Sequence, residues 1–434
     1  MSYIYQSPSW PNFSWDKDLV SDKLAKINKE AGYLAGRLSA IGFDAQMGAV
    51  VETVTHDIVS SSEIEGVVLN ADSVRSSVAR RLGVDIPISR EPSHYIEGIV
   101  EMMLDATVGY KAPLTDDRLF GWHNCLFPNG RSGYEIIDVA KYRSAEMKVV
   151  SGTFGREKVH YIAPSPDRVE AEMAQFLAWF DSETALSSII RSAIAHFWFV
   201  SIHPFEDGNG RMARILSDML LARGEKSELR FYNISSQINK HKKQYYDILE
   251  RTQRGDGDIT EWLVWYMQEL VEALDEAEAT VNMILNKSLF WQQATAVPMS
   301  DRQVQVLNLF LDGYEAKITS KTWASLAKCS KDTAIRDIQD LVIKNVLVED
   351  FPGAKRPSYS IVYDKENLVQ FFTEVAIEED NGRAYLTALY KGKTHIKERL
   401  LPLDAERFQR GDLPLANLLS KYCSYLQLKP ESKD

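Results

Sequence analysis

Twelve consecutive residues, His203-Pro204-Phe205-Glu206-Asp207-Gly208-Asn209-Gly210-Arg211-Met212-Ala213-Arg214, combine a base, a hard carboxylate, a glycine-framed turn and two arginines. A histidine titrates nearest neutrality, so His203 can take a proton from an attacking hydroxyl at cellular pH and is the candidate general base. Asp207 offers carboxylate oxygen, and magnesium is usually held by one or two carboxylates together with phosphate oxygens; Asp207 is the candidate metal ligand. Gly208 and Gly210 flank Asn209, which allows positive backbone angles that turn N–H groups toward an anion where a helix resumes at Met212. Arg211 and Arg214, three apart on that helix, offer planar forks to phosphate oxygens. This is a toolkit for a triphosphate, and Phe205 is expected to anchor the loop in the core.

These groups need elements to hold them. An apolar helical run from Ser188 to Ile202 leads into the loop, after a helix from Arg168 to Phe180. Leu24, Ile27, Ala31, Leu34, Leu38 and Ile41 recur in steps of three and four, which predicts an amphipathic helix from Asp16 closed by Gly42. A second helix follows from about Ala45 to Ser62. There Gly66 reads as the residue just past a helix end and Glu65 as a solvated last-turn carboxylate. Val67 to Asp85 reads as a further helix and connector, and Ser93 to Tyr110 and Thr115 to Leu126 are helical, the latter capped by Thr115 with Asp116 and Asp117 in its first turn. Lys148 to Ile162 alternates apolar residues around Ser151-Gly152 and Gly155 and reads as a β-hairpin.

The string from His203 to Arg214 resembles the signature of the Fic family, His-Pro-Phe-x-Asp-Gly-Asn-Gly-Arg-x-x-Arg, at every defined position. The resemblance implies a nucleotide transferase, most often one that moves AMP from ATP to a protein hydroxyl with release of pyrophosphate. It implies that His203 deprotonates the target, that Asp207 holds Mg2+, that the Gly208, Asn209, Gly210 and Arg211 turn cradles the diphosphate, and that Arg214 meets the γ-phosphate. Ser61-x-x-x-Glu65-Gly66 resembles the family's inhibitory motif in the class that carries it N-terminal to the core; there the glutamate pairs with the second signature arginine, here Arg214. The same resemblance makes 148–162 the flap on which a target segment docks, with Tyr142-Arg143 matching the usual run-up. Tyr3 to Trp15 resembles the N-terminal domain that often precedes bacterial Fic cores.

The remaining features bound the rest. The 434 residues carry 50 Lys and Arg against 61 Asp and Glu, a net charge of −11, which argues against a broad nucleic-acid or membrane surface. Cys125, Cys329 and Cys423 are far apart and read as reduced thiols. With neither a long apolar run nor a basic, apolar N-terminus, a soluble cytoplasmic protein is expected. After a boundary near Val297 to Ser300, helices over Val304–Leu311, Thr322–Leu326 and Lys331–Lys344 and strands over Val346–Glu349 and Tyr359–Tyr363 resemble a winged helix-turn-helix. Between Asp301 and Tyr363 nine basic face eight acidic residues, so protein contact or dimerisation fits this segment at least as well as DNA binding. Strands are expected over Ala384–Tyr390 and Thr394–Leu400.

The expected protein is mainly α, with an N-terminal helical domain (1–90) bearing the inhibitory helix, a Fic-type catalytic core with a β-hairpin flap (91–297), a winged helix-turn-helix domain (298–365) and an appendage (366–434) of unassigned role. It is expected to transfer AMP to a Ser, Thr or Tyr hydroxyl of a protein, itself included, to be restrained by Glu65, and to form a homodimer. The alternatives are removal of AMP, transfer of another nucleotide, and an ATP-sensing regulator that binds DNA or protein.

Overall fold

The computed structural model describes residues 3–38, 43–84, 91–152, 156, 158–227, 230–295, 297–314, 316–350, 355–362, 372–380, 383–390, 394–400, 405, 408–410 and 419. The chain divides into two units, Met1–Glu278 and Ala279–Asp434.

The first unit is helical. Four helices, α1 (Lys17–Leu38), α2 (Phe43–Ile64), α3 (Ala71–Leu82) and α4 (His94–Thr107), precede α5 (Asp116–Leu126). Gly42, expected to close the first helix, lies outside the described residues. Helix starts follow local chemistry: Asn70, Ser93 and Thr115 each accept a backbone N–H of the first turn. Gly66 takes φ +78° and ends α2 as expected, with Val67 N–H returning to the Ser62 carbonyl. Two short antiparallel ribbons follow. β1 (Arg131–Ser132) pairs with β2 (Glu135–Ile136), and β3 (Lys148–Ser151) with β4 (Lys158–Ile162). The second ribbon is the hairpin expected over 148–162; residues 153–155 and 157 at its turn lie outside the described residues.

The core forms around α7 (Ser188–Ile202), which comes after α6 (Pro166–Asp181) and leads to α8 (Asn209–Glu225). Phe197, Phe199 and Ala193 of α7 are fully buried, as is Phe176 of α6, because a helix apolar on all sides can only be satisfied inside a protein. Burial of each large side chain contributes about 2–3 kcal/mol. α9 (Ile234–Lys240), α10 (Lys242–Gln253) and the long α11 (Thr260–Ala294) as far as Glu278 complete the unit's order, and Trp262 and Tyr266 of α11 close the core from another side. The segment 3–15 docks on this core: Tyr3 meets the Tyr161 ring edge-on at 5.0 Å, Phe13 meets Phe197 at 5.7 Å, and Trp10 Nε1 donates to Glu172 at 2.7 Å.

In the second unit α12 (Asp301–Leu311), α13 (Ser320–Leu326) and α14 (Lys331–Ile343) are followed by β5 (Leu347–Glu349) and β6 (Tyr359–Ile361), which pair antiparallel. Val306, Leu307, Trp323, Ile338, Leu341, Leu347 and Ile361 form their shared core. On α14, Asp337 is held by Arg302 at 2.7 Å and Asp340 by Lys344 at 2.6 Å, so part of its charge is internally paired. The expected strands near the C-terminus are β8 (Arg383–Tyr390) and β9 (Thr394–Arg399), in a sheet of order β7-β8-β9 whose first strand, β7 (Phe372–Asp380), the sequence reading does not include.

Candidate active site

His203 is the residue at which α7 stops. It takes φ +53°, a left-handed conformation costly for a non-glycine residue, and its N–H still closes the last turn onto the Phe199 carbonyl at 2.9 Å. Arg143 makes that break tolerable. Its buried guanidinium donates to the carbonyls of His203 (2.7 Å), Ala145 (2.9 Å) and Pro164 (2.6 Å), placing a cation at the negative end of α7. The His203 Nδ1 lies 3.2 Å from the Val200 carbonyl, which can only accept, so Nδ1 carries the proton and Nε2 keeps the lone pair. Burial, aided by Arg143, pushes the ring's pKa down to about 4 against the pull of Val200, Asp207 and Glu65. The ring is therefore neutral near pH 7, the form a base requires.

The next loop is fixed from beneath. Phe205 is fully buried, as expected, and stacks at 4.3 Å on His123, a side chain of α5 that is itself fully buried. His123 Nδ1 accepts from Ala140 N–H at 3.2 Å, so Nε2 bears the proton and donates to the Asp207 carbonyl at 3.1 Å. Burial holds His123 near pKa 4. The Asp207 carboxylate accepts from the Ser132 hydroxyl and from Gly208 N–H at 2.5 Å, and its side chain stays 41% exposed. Each of its oxygens retains a lone pair, so it suits a magnesium ion that takes its other ligands from phosphate and water.

Helix α8 begins earlier than the sequence reading places it, at Asn209 rather than Met212. Gly208 is the residue before it, at φ +84°, where a Cβ would lie 2.9 Å from the Phe127 ring. Gly210 does not take a positive φ; it belongs to the first turn of α8. Its missing Cβ matters for another reason. A Cβ there would stand 2.2 Å from Glu65 Oε1 and 3.3 Å from Arg214 Nη1. The Asn209 side chain is committed to the loop itself, with Oδ1 accepting from Phe205 N–H at 3.0 Å and Nδ2 donating to the Phe205 carbonyl at 2.8 Å. No side chain caps α8, which leaves its first N–H groups to face an anion.

The two arginines hold different positions. Arg211 lies over the Phe127 ring at 5.0 Å and reaches Tyr95 at 3.2 Å. Arg214 is only 1% exposed and meets the end of α2: Nε donates to Ser61 Oγ at 2.8 Å, Nη2 to the Ser61 carbonyl at 2.9 Å and to Glu65 Oε1 at 2.8 Å. Arg211 Nε and Arg214 Nη1 are buried donors without a hydrogen-bond acceptor among the described residues. Such donors beside an uncapped helix start fit phosphate oxygens. The last turn of α2 has further ties, Asn239 to Glu63 at 2.9 Å and the Tyr246 hydroxyl to the Ile64 carbonyl at 3.5 Å.

All ten residues singled out in the sequence are thus placed: His203, Asp207 and Gly208 to Arg211 in one loop and turn, with Ser61 and Glu65 against Arg214 and Gly66 ending their helix. Missed were His123 and Ser132, which hold Asp207, and the full clamp of Arg143.

Residues 113–221 match the model of the Fic/DOC family. This Fic-matching stretch runs from just before α5 to within α8 and holds every residue of the loop. Residues 3–84, which include α2 and Glu65, match a domain of unknown function (DUF4172). The chain is 34% identical over 113 residues to the protein adenylyltransferase Fic of Culex quinquefasciatus, a match covering 25% of this chain and 21% of that protein. It is 26% identical over 215 residues to the protein adenylyltransferase Fic of Nematostella vectensis, covering 48% and 45%. The chain thus spans about a fifth of the first relative's length and under half of the second's. Among solved structures, a Fic family protein from Desulfovibrio desulfuricans G20 aligns with a TM-score of 0.48 at 20% identity, over 80% of this chain and 96% of that one. No helix among the described residues is long and apolar enough to cross a membrane.

Proposed function

We propose that this protein transfers AMP from ATP to a protein hydroxyl and that Glu65 restrains it. The observation that carries the reading is the convergence, on one loop, of a neutral histidine with a free Nε2, a half-exposed carboxylate and an uncapped helix start bearing two arginines with spare donors. In this reading the N–H groups of Asn209, Gly210 and Arg211 and the two guanidiniums bind the outer phosphates of ATP. Asp207 would hold magnesium, which when bound neutralises phosphate charge and orients the diphosphate leaving group. His203 Nε2 takes the proton of the incoming hydroxyl; that oxygen bonds to the α-phosphorus as the bond to pyrophosphate breaks. The exposed edge of the β3–β4 ribbon offers backbone pairing to a target segment.

The restraint is spatial as well as electrostatic. Glu65 lies over Gly210, where phosphate would meet the start of α8, and it occupies one fork of Arg214. A carboxylate there takes one of the donors a phosphate needs and stands in the space beside the others.

The test is incorporation of α-phosphate label from ATP by the natural protein, by Glu65→Gly and by Glu65→Gly with His203→Ala. Label mainly in the single variant and none in the double supports both parts. Equal label in single and double variants removes His203 as the base. If no protein takes label, an AMP-modified protein is offered next; release of AMP would replace transfer by removal.

A further inference from the structure

One helix turn back from Ser61, on the face of α2 that carries Ser61 and Glu65, is Asp57; one turn beyond Arg214 on α8 is Asp218. Both are buried, Asp57 5% exposed and Asp218 0%. Their carboxyl groups lie within hydrogen-bonding reach of each other. Arg230, 8% exposed, binds Asp218 at 2.6 Å. Two carboxyls can hydrogen-bond only when one is protonated, and one guanidinium balances one negative charge. Asp57 Oδ1 and Asp218 Oδ2 are buried oxygens that accept no hydrogen bond from the donors among the described residues. A single shared proton satisfies both.

We propose that Asp57 and Asp218 are a proton-bridged pair that seats α2 on α8, so that acid tightens and mild alkali loosens the hold of Glu65 on Arg214. This rests on Glu65 acting as a brake. Burial first, and then Asp218, pushes the Asp57 carboxyl up to about 8, with Arg230 opposing. The charged and titratable groups around the pair are Asp218 and Glu225 of α8, Arg230 and Tyr232 of the segment after it, and Tyr266 of α11, which faces Asp218 and Arg230; α9 brings the Ser235 hydroxyl. Once α2 lifts, Asp57 returns to an ordinary carboxylate near 3.9. The seated state then binds one more proton than the lifted state between pH 4 and about 8. Its stability falls as pH rises across that window, by up to about tenfold per pH unit, and levels off above 8.

ATP itself is the probe. Its dissociation constant is measured by calorimetry for the natural protein, Glu65→Gly and Asp57→Asn at pH 6 and pH 8, the asparagine amide standing in for the protonated carboxyl. The advantage of Glu65→Gly over the natural protein is expected to shrink at least tenfold from pH 6 to pH 8. Asp57→Asn is expected to bind ATP with the same disadvantage at both values. An advantage that is present but constant with pH, or a natural protein and Asp57→Asn that change in parallel, overturns this inference alone. No advantage of Glu65→Gly at either pH overturns the brake and this inference with it. The comparison of the natural protein with Glu65→Gly stands even if Asp57→Asn does not fold.

Discussion

At pH 6, replacing Glu65 by glycine is expected to tighten ATP binding by about 10–30-fold. The Glu65 carboxylate accepts one charge-assisted hydrogen bond from Arg214 at 2.8 Å, while its side chain remains 28% exposed. Such bonds contribute about 1.5–3 kcal/mol, and the exposure places this one toward the lower end, at roughly 1.5–2 kcal/mol. A ligand that must displace the carboxylate loses that amount, and every 1.4 kcal/mol is tenfold in affinity. The backbone cost is small because position 65 lies just past Ile64, the last residue of α2, and next to Gly66 at φ +78°. Glu65→Gln keeps an oxygen for Arg214 but loses the charge, so it is expected to give only a severalfold gain. AMP, which lacks the outer phosphates, is expected to bind both proteins within about twofold. Titration calorimetry with ATP and AMP reads all of these. ATP affinity unchanged within twofold in Glu65→Gly would refute the competition between carboxylate and phosphate, and an equal gain for AMP would refute its place at the outer phosphates.

In the Glu65→Gly background, His203→Ala is expected to lower transfer by about 10²–10⁴-fold with ATP affinity within twofold, since the base acts on the acceptor; a comparable loss of ATP binding would show a different role. Because the His203 ring is held near pKa 4, its protonation should not limit transfer between pH 5.5 and 8. A transfer–pH profile that falls with a midpoint near 6.5 would contradict this. Asp207→Asn keeps an acceptor for Gly208 N–H and offers its amide as a donor to the Ser132 hydroxyl but loses the charge, so magnesium should no longer strengthen ATP binding; an unchanged magnesium dependence in calorimetry would remove Asp207 as ligand. His123 binds its proton more readily unfolded (near 6.5) than folded (about 4), so stability rises with pH through that window and is lost as pH falls, by up to roughly 3 kcal/mol. Urea midpoints at pH 7 and 4.5 should therefore differ less in His123→Gln than in the natural protein, and an identical difference would refute the assignment.

What was legible in the sequence was what is local in it. The cap Thr115 sits next to the helix it starts, and the loop residues His203 to Arg214 are consecutive, so their pattern survives without the fold. His123, Ser132 and Arg143 reach the loop from 60 to 84 positions away, and a lone buried histidine or serine carries no mark of its partner. Helices α9 and α10 escaped, although Asn233 caps α9 by accepting Ser236 N–H at 2.9 Å, because their short apolar repeats lie between stronger ones. Gly210 was misread for a physical reason. A glycine beside an asparagine suggests a backbone that needs positive φ, yet here the backbone is helical and what matters is the space left for Glu65.

That space explains why the brake and the phosphate cradle are difficult to separate by mutation at α8. Enlarging Gly210 would press on Glu65 Oε1 at 2.2 Å and so favour release, but the same methyl would crowd the helix start that binds phosphate. Removing Arg214 would free Glu65 and also delete a phosphate donor. Changes at Glu65 itself, or at the ties that Asn239 and Tyr246 make to the end of α2, loosen the carboxylate without touching the cradle. Regulation built on this arrangement therefore has to act through α2, which is where its stripe of Asp57, Ser61 and Glu65 meets Asp218 and Arg214.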